Sequence, residues 1–244
     1  MSIDKLSYSK LVDFLSCPKK FELKHILKCD EFQQTIYTAF GNSIHSTIEE
    51  ILKKDFDIDA GLCIYKREFA KNILNIPIKE RQVIDSKQWY DKAVKILNYF
   101  YKKYFNKLRG NIVDVEKYFS YTINVEDKAI IFNGIADLLY KDGNNIKILD
   151  WKTGKKQSRD DTLQLRIYAL ILNKLFNYRF KEAAYIFIKE QSENKFDITP
   201  ELLEQTEKEL ITLIKQIIDT KNFQRCFSNN CRFCSVKKFC LQNS

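Results

Sequence analysis

An α/β fold, with a mixed central sheet flanked by helices, is predicted by three features: a β-hairpin mid-chain, further strands and a helix around it, and a helical first half. The hairpin carries most weight. Apolar runs Ile130–Tyr140 and Ile146–Trp151 flank Asp142-Gly143-Asn144-Asn145, a turn-forming tetrad. In chain order, Ser7 is an N-cap for a helix to Lys28, with Leu11, Phe14, Leu15, Phe21 and Leu23 on its apolar side. Pro18 divides it into two, with Cys17 at the break. A second helix, opened by Gly41, spans Phe40–Lys54, with Ile44, Ile48, Ile51 and Leu52 at helical spacing. Residues 55–86 read as short helices and loops, and Lys87–Leu108 as a long aromatic-rich helix. A strand at Val113–Ile123 leads into the hairpin. Then come a helix over Asp161–Phe176, a strand at Ala183–Lys189, a short strand at Lys195–Ile198 and a helix from Pro200 to Asp219. Phe223–Ser244 is a cysteine-bearing tail.

The 244 residues suffice for one α/β domain with a substantial core. It divides into a helical N-terminal part over 1–110, a sheet core over 111–190, and a C-terminal helix with its cysteine tail over 191–244. Six glycines and three prolines leave little room for linkers. The net charge of +9 suits a polyanionic partner, although basic proteins without one are common. No apolar stretch approaches the ~20 residues of a membrane span, and the N-terminus lacks the apolar core of a signal peptide. A cytoplasmic location is expected, where seven cysteines serve better as metal or cluster ligands than as disulfides.

Asp137 is a lone carboxylate inside the first hairpin run, and Asp150 and Lys152 close the second. At i and i+2 of a strand, Asp150 and Lys152 share a face. Burying two carboxylates and a lysine beside a hydrophobic sheet is costly unless they bind each other or a cation. Gln164 and Tyr168, at i and i+4, share a helix face. Glu116 is read as an exposed strand-end glutamate, with a place near a metal, through water, as the alternative. His25 is read as structural or superficial. Cys231-x2-Cys234-x5-Cys240 is a compact thiolate set, and either Cys17 or Cys226 could complete it. Spacing does not separate zinc from an iron–sulfur cluster. Cys29 and Cys63 are read as small buried hydrophobes.

The runs G-I-A-D from Gly134, I-L-D-W-K-T-G from Ile148 and Q-L-R-I-Y from Gln164 resemble the PD-(D/E)XK nuclease superfamily in its RecB-like branch. With Cys17 in S-C-P-K-K-F and the terminal cysteines, the chain is similar to iron–sulfur members of that branch, Cas4 and the AddB nuclease domain. The resemblance runs from Ser7 to Cys240 and is weakest between Asp55 and Asn111. It implies a single nuclease domain that degrades DNA, as a single-stranded DNA exonuclease trimming ends for capture into a CRISPR array beside an integrase complex. It implies one or two Mg²⁺ or Mn²⁺ ions held by His45 (in G-x-x-x-H), Asp137, Asp150 and the Trp151 backbone carbonyl. Lys152 would be catalytic, with Gln164 and Tyr168 supporting it. Lys155, Lys156 and Arg166 would touch phosphates, and Cys17, Cys231, Cys234 and Cys240 would hold a 4Fe-4S cluster. A phage or repair exonuclease, intracellular in an infected host, would carry the same motifs. A non-catalytic DNA-binding module keeping the fold is the other alternative.

Overall fold

The structure is a computed structural model describing residues 3–30, 33–154 and 162–242. In chain order the elements are β1 (Lys5–Ser7), α1 (Tyr8–Ser16), α2 (Pro18–Phe21) running into a π-helical turn at Glu22–Ile26, α3 (Ile36–Lys54), α4 (Ile58–Ile73) and α5 (Ile78–Arg81). Next come α6 (Ser86–Phe100), a π-helical turn at Tyr101–Phe105, α7 (Asn106–Leu108), β2 (Ile112–Val125), β3 (Lys128–Asp142) and β4 (Asn145–Lys152). The chain continues with α8 (Leu163–Phe176), β5 (Phe180–Phe187), β6 (Ser192–Asp197), α9 (Pro200–Asp219), a 3₁₀ turn at Asn229–Phe233 and α10 (Lys237–Gln242).

The sheet is mixed, as expected. β3 and β4 form an antiparallel hairpin, β4 and β5 run parallel, β5 and β6 run antiparallel, and β2 also pairs with β3. Gly143, at φ +62°, supplies the left-handed backbone of the two-residue hairpin turn. The chain forms two compact units, one of residues 33–117 and 135–200, the other of residues 1–32, 118–134 and 201–244. They interleave along the sequence because β2 and β3 each contribute to both.

In the unit of residues 33–117 and 135–200, strand alternation sorts the side chains. Leu138, Tyr140, Leu149, Trp151, Ala184 and Ile186 join the buried faces of α3, α4 and α6 in one core. Each large side chain buried there contributes about 1.5–3 kcal/mol. The opposite set, including Leu139, Ile148 and Ala183, is also buried, and α8 contacts β4 and β5. The Trp151 ring meets Phe100 and Tyr104 edge-on, at 5.6 and 5.4 Å, which anchors the end of β4.

Two helices differ from the sequence reading. α3 starts at Ile36, four residues before Phe40, because Thr35 and Thr38 cap it reciprocally. Gly41 therefore lies inside α3 and does not open it. The stretch 55–86 holds a sixteen-residue helix, α4, whose N-cap Asp57 accepts the Ala60 N–H at 2.9 Å. Gly61 within it is a packing residue: a Cβ there would lie 2.8 Å from Ile51 Cδ1 of α3. Cys63 is exposed on α4 and Cys29 is half-buried, so neither is the buried hydrophobe expected.

In the other unit, β1 pairs in parallel with the start of β3, Leu6 opposite Phe132. Leu6 is buried, so this three-residue strand inserts an apolar side chain between the polar Lys5 and Ser7. The break expected at Pro18 is present, with Cys17 in extended backbone between α1 and α2. Phe14, Phe21 and Phe223 form a ring cluster, and the Lys19 N–H donates to the Gln224 carbonyl at 3.0 Å, which ties the tail to α1 and α2. Asp13, 7% exposed, receives Lys20 at 2.6 Å and His25 at 2.8 Å. Burial alone would raise its pKa, but the bonds from His25 and Lys20 outweigh it and hold the carboxyl well below the usual range. His25 is thus structural. Among the described residues no helix is long and apolar enough to cross a membrane.

Gly134, the first residue of G-I-A-D, leaves room for an aromatic ring: a Cβ there would lie 2.3 Å from Phe119 Cζ. Gly134→Ala should lower unfolding stability by about 1–3 kcal/mol through overpacking. Urea denaturation checks this, and adding Phe119→Leu should recover part of the loss.

Candidate active site

All the residues of this site lie in the unit of residues 33–117 and 135–200. Regular pairing of β3 with β4 runs from Asp142/Asn145 to Leu138/Leu149. The next pair in register would set Asp137 against Asp150. Instead, the Trp151 backbone N–H donates to Asp137 Oδ2 at 2.9 Å. A side-chain oxygen thus replaces a ladder acceptor where the strands part. Like charges placed directly opposite repel, which opposes tight pairing at this step.

Asp150 is 4% exposed, and Lys152 Nζ lies 2.6 Å from its Oδ2. That contact is an ion pair by distance, yet Oδ2 has no aligned hydrogen bond and is otherwise sealed from solvent. Lys152 Nζ also donates to Gln164 Oε1 at 3.0 Å and lies 5.0 Å from the Tyr185 ring centroid. Gln164 Nε2 in turn donates to the Tyr168 hydroxyl at 3.3 Å. The shared helix face of Gln164 and Tyr168 therefore holds the lysine. Tyr168 is pushed up to about 12, first by burial and then by the nearby Asp150 and Asp137 charges, against the bonds from Gln164 and the Ile135 backbone.

His45, half-buried on α3, places Nδ1 3.6 Å from Asp137 Oδ2. The nearby Trp151 backbone favours the protonated ring. Burial lowers the His45 pKa, with Asp150 opposing and Lys152 adding to the shift. Gly41, one turn earlier, lets α3 approach the end of β4: a Cβ there would lie 2.7 Å from Thr153 Oγ1. Gly41 thus serves the placement of His45.

Burial and the Asp150 charge push the Asp137 carboxyl well above its ordinary value, Glu116 adds to this, and the Trp151 N–H and Lys152 oppose it. Two carboxylates and one lysine leave a negative surplus that a proton or a cation would relieve. Glu116 is half-buried inside β2 at φ +57°, and so is not the exposed strand-end residue expected. A non-glycine residue in that conformation costs about 1–3 kcal/mol. Its pKa is raised by burial, Glu49 and Asp150 against Lys53.

The donor chemistry suits a hard divalent cation: two carboxylates, an imidazole and a backbone carbonyl. Among the described residues, however, no three His, Cys, Asp or Glu side chains close on a single metal centre. Asp137 Oδ2 bonds the Trp151 N–H and His45 stays 3.6 Å away, so the site is an open donor set. Arg166 lies half-buried on α8, and Lys155 and Lys156 lie outside the described residues. Sequence reasoning missed Thr153 and Tyr185. Tyr185, in the apolar run A-A-Y-I-F, gives no signal beyond that of a core aromatic.

In the other unit, the Cys226 N–H donates to Cys17 Sγ at 3.4 Å and the Ser228 N–H to Cys231 Sγ at 3.4 Å. The Cys231 thiol reaches the Cys226 carbonyl at 3.6 Å. Cys17, Cys226 and Cys231 therefore adjoin. The Cys234 N–H closes a turn onto the Cys231 carbonyl at 3.3 Å, and the Cys240 N–H donates to the Val236 carbonyl at 2.9 Å. The Cys226 thiol is raised, first by desolvation and then by Cys17 and Cys231. No metal-holding cysteine group is present among the described residues.

A family model described as the PD-(D/E)XK nuclease superfamily matches residues 5–241. No curated protein matches significantly. Among solved structures, a protein of Eubacterium rectale provisionally named an exonuclease aligns at TM-score 0.57 and 12% identity, over 94% of this chain and 88% of that one. The protein SSO0001 aligns at TM-score 0.47 and 14% identity, over 100% of this chain and 89% of that one. The first likeness concerns the fold alone.

If a cation relieves the Asp137–Asp150 repulsion, millimolar Mn²⁺ should raise the melting temperature of the wild type. Asp150→Asn should melt at or above the metal-free wild type and respond little to Mn²⁺. Differential scanning calorimetry with and without EDTA checks both.

Proposed function

The chain belongs to the PD-(D/E)XK nuclease superfamily, and from that premise we propose that it hydrolyses DNA phosphodiester bonds at the Asp137–Asp150–Lys152 cluster. The single observation carrying this reading is the buried carboxylate pair at the parting of β3 and β4, with Lys152 held between Asp150 and Gln164. His45, Asp137, Asp150 and the Trp151 carbonyl would hold one or two Mg²⁺ or Mn²⁺ ions. A bound cation supplies Lewis-acid polarisation of the phosphate and lowers the pKa of a bound water. Lys152 orients the attacking water and stabilises charge on the phosphorane-like transition state. Gln164 fixes the lysine, and Tyr168 fixes Gln164 and lines the strand's entry. Arg166, Lys155 and Lys156 are phosphate contacts in this reading.

The finer reading is a Cas4-like exonuclease on single-stranded DNA, working beside a CRISPR integrase complex in the cytoplasm. The motif set and the cysteines near both ends support it. A phage or repair exonuclease shares every one of these features. The 4Fe-4S cluster would sit on Cys17, Cys231, Cys234 and Cys240, with zinc as the competitor. The adjacency of Cys226 to Cys17 and Cys231 favours a second ligand set in which Cys226 takes part. The non-catalytic reading is disfavoured because Asp137, Asp150, Lys152 and His45 are all retained.

Cleavage of end-labelled single- and double-stranded DNA in Mn²⁺ tests the activity. Lys152→Ala should lower cleavage by at least ~10²-fold and, by leaving the buried Asp150 carboxylate without its counter-charge, should also lower the melting temperature; retained cleavage by the folded variant removes the lysine from the mechanism. Visible absorption of anaerobically prepared protein tests the cluster. Cys17→Ser should bleach it and Cys226→Ser should not. The reverse pattern would make Cys226 the ligand, and colourless protein holding stoichiometric zinc would replace the cluster altogether.

A further inference from the structure

Parallel pairing of β4 with β5 sets Tyr185 opposite Asp150 and Phe187 opposite Lys152. Strand alternation therefore puts Asp150, Lys152 and Tyr185 on one face of the sheet. α8, which carries Gln164, contacts both strands. The Lys152 side chain turns back along this face. Its Nζ lies 2.6 Å from Asp150 Oδ2, 3.0 Å from Gln164 Oε1 and 5.0 Å from the Tyr185 ring centroid, over the ring. Tyr185 is 5% exposed, so the ammonium meets a ring shielded from water, where attraction to the negative ring face is stronger than at an open surface.

The three contacts do different things. Asp150 supplies charge at short range but no aligned hydrogen bond. Gln164 accepts one N–H. The ring attracts the positive charge without fixing any one N–H, which leaves donors of the ammonium for a water or a phosphate oxygen. Lysine is a compact charge on a flexible four-carbon stem, so charge alone does not fix where it stands. Asp150 is also a ligand in the proposed cation site, and an oxygen given to a cation is lost to the lysine. The ring has no such second role.

We propose that Tyr185 is a positioning residue for Lys152, its ring face holding the ammonium where it meets the attacking water and the phosphate. The proposal rests on the nuclease reading above and adds a residue to it. A ring so deeply buried does not touch the DNA strand, so its effect is on kcat and not on KM.

The test separates the charge distribution of the ring from its volume. Tyr185→Phe is the reference, and mono-, di- and trifluorinated phenylalanines are placed at the same position. Each fluorine weakens the negative face of the ring and leaves its size nearly unchanged. Cleavage of single-stranded DNA in Mn²⁺ should show kcat falling step by step along the series, with KM and melting temperature unchanged. The total loss should be roughly tenfold. A second readout needs neither metal nor activity. In NMR spectra of metal-free protein labelled at its lysines, the Cε protons of Lys152, assigned by their loss in Lys152→Ala, should lie upfield of the other lysines through the ring current. They should return to the common position in Tyr185→Leu. Equal kcat along the series in a protein that cuts DNA, or Lys152 protons at the common position in the wild type, overturns the role of Tyr185 and leaves the nuclease reading intact. Wild type that cuts no DNA overturns both.

Discussion

The hydrogen bond from the Trp151 N–H to the Asp137 carboxylate organises the rest of the candidate site. It stops the β3–β4 ladder at Leu138/Leu149 and lets the strands part with two carboxylates on one face. Burial makes that pair expensive, and a single lysine offsets only part of the cost. A hydrophobic pair at the same register would continue the sheet more cheaply. The site therefore trades stability for charge held in a fixed place, as functional sites commonly do.

What fixes the charge is packing some distance from it. The Trp151 ring is wedged between Phe100 and Tyr104, so the backbone presenting Asp150 and Lys152 has little freedom. Tyr104 donates in turn to Glu193 of β6 at 2.6 Å. On the other side, Gly41 of α3 packs against Thr153, and His45 one turn later approaches Asp137. A Cβ at that position would crowd the Thr153 hydroxyl.

Much of this was legible in the sequence where the signal is local. The hairpin, the shared face of Asp150 and Lys152, the Gln164–Tyr168 spacing and the bounds of α9 each depend on neighbours a few residues apart. Non-local features were not legible. β1 is three residues long and exists because Leu6 pairs beside Phe132, more than a hundred positions away. α4, in the stretch read as short helices and loops, packs closely on α3, with Gly61 against Ile51. The start of α3 was missed because its capping pair is Thr35–Thr38, which lacks the acidic partner that flags a helix start. The left-handed backbone of Glu116 inside a strand also has no sequence signal.

The central claim is that Asp137 acts through its charge as well as through its hydrogen bond. Asp137→Asn separates the two, because the amide oxygen can still accept the Trp151 N–H. The measurement is DNA cleavage in Mn²⁺ by wild type and Asp137→Asn, alongside their metal-free melting temperatures. A variant as stable as the wild type or more so, yet inactive, is the predicted result. A variant that cuts DNA at the wild-type rate would contradict the account.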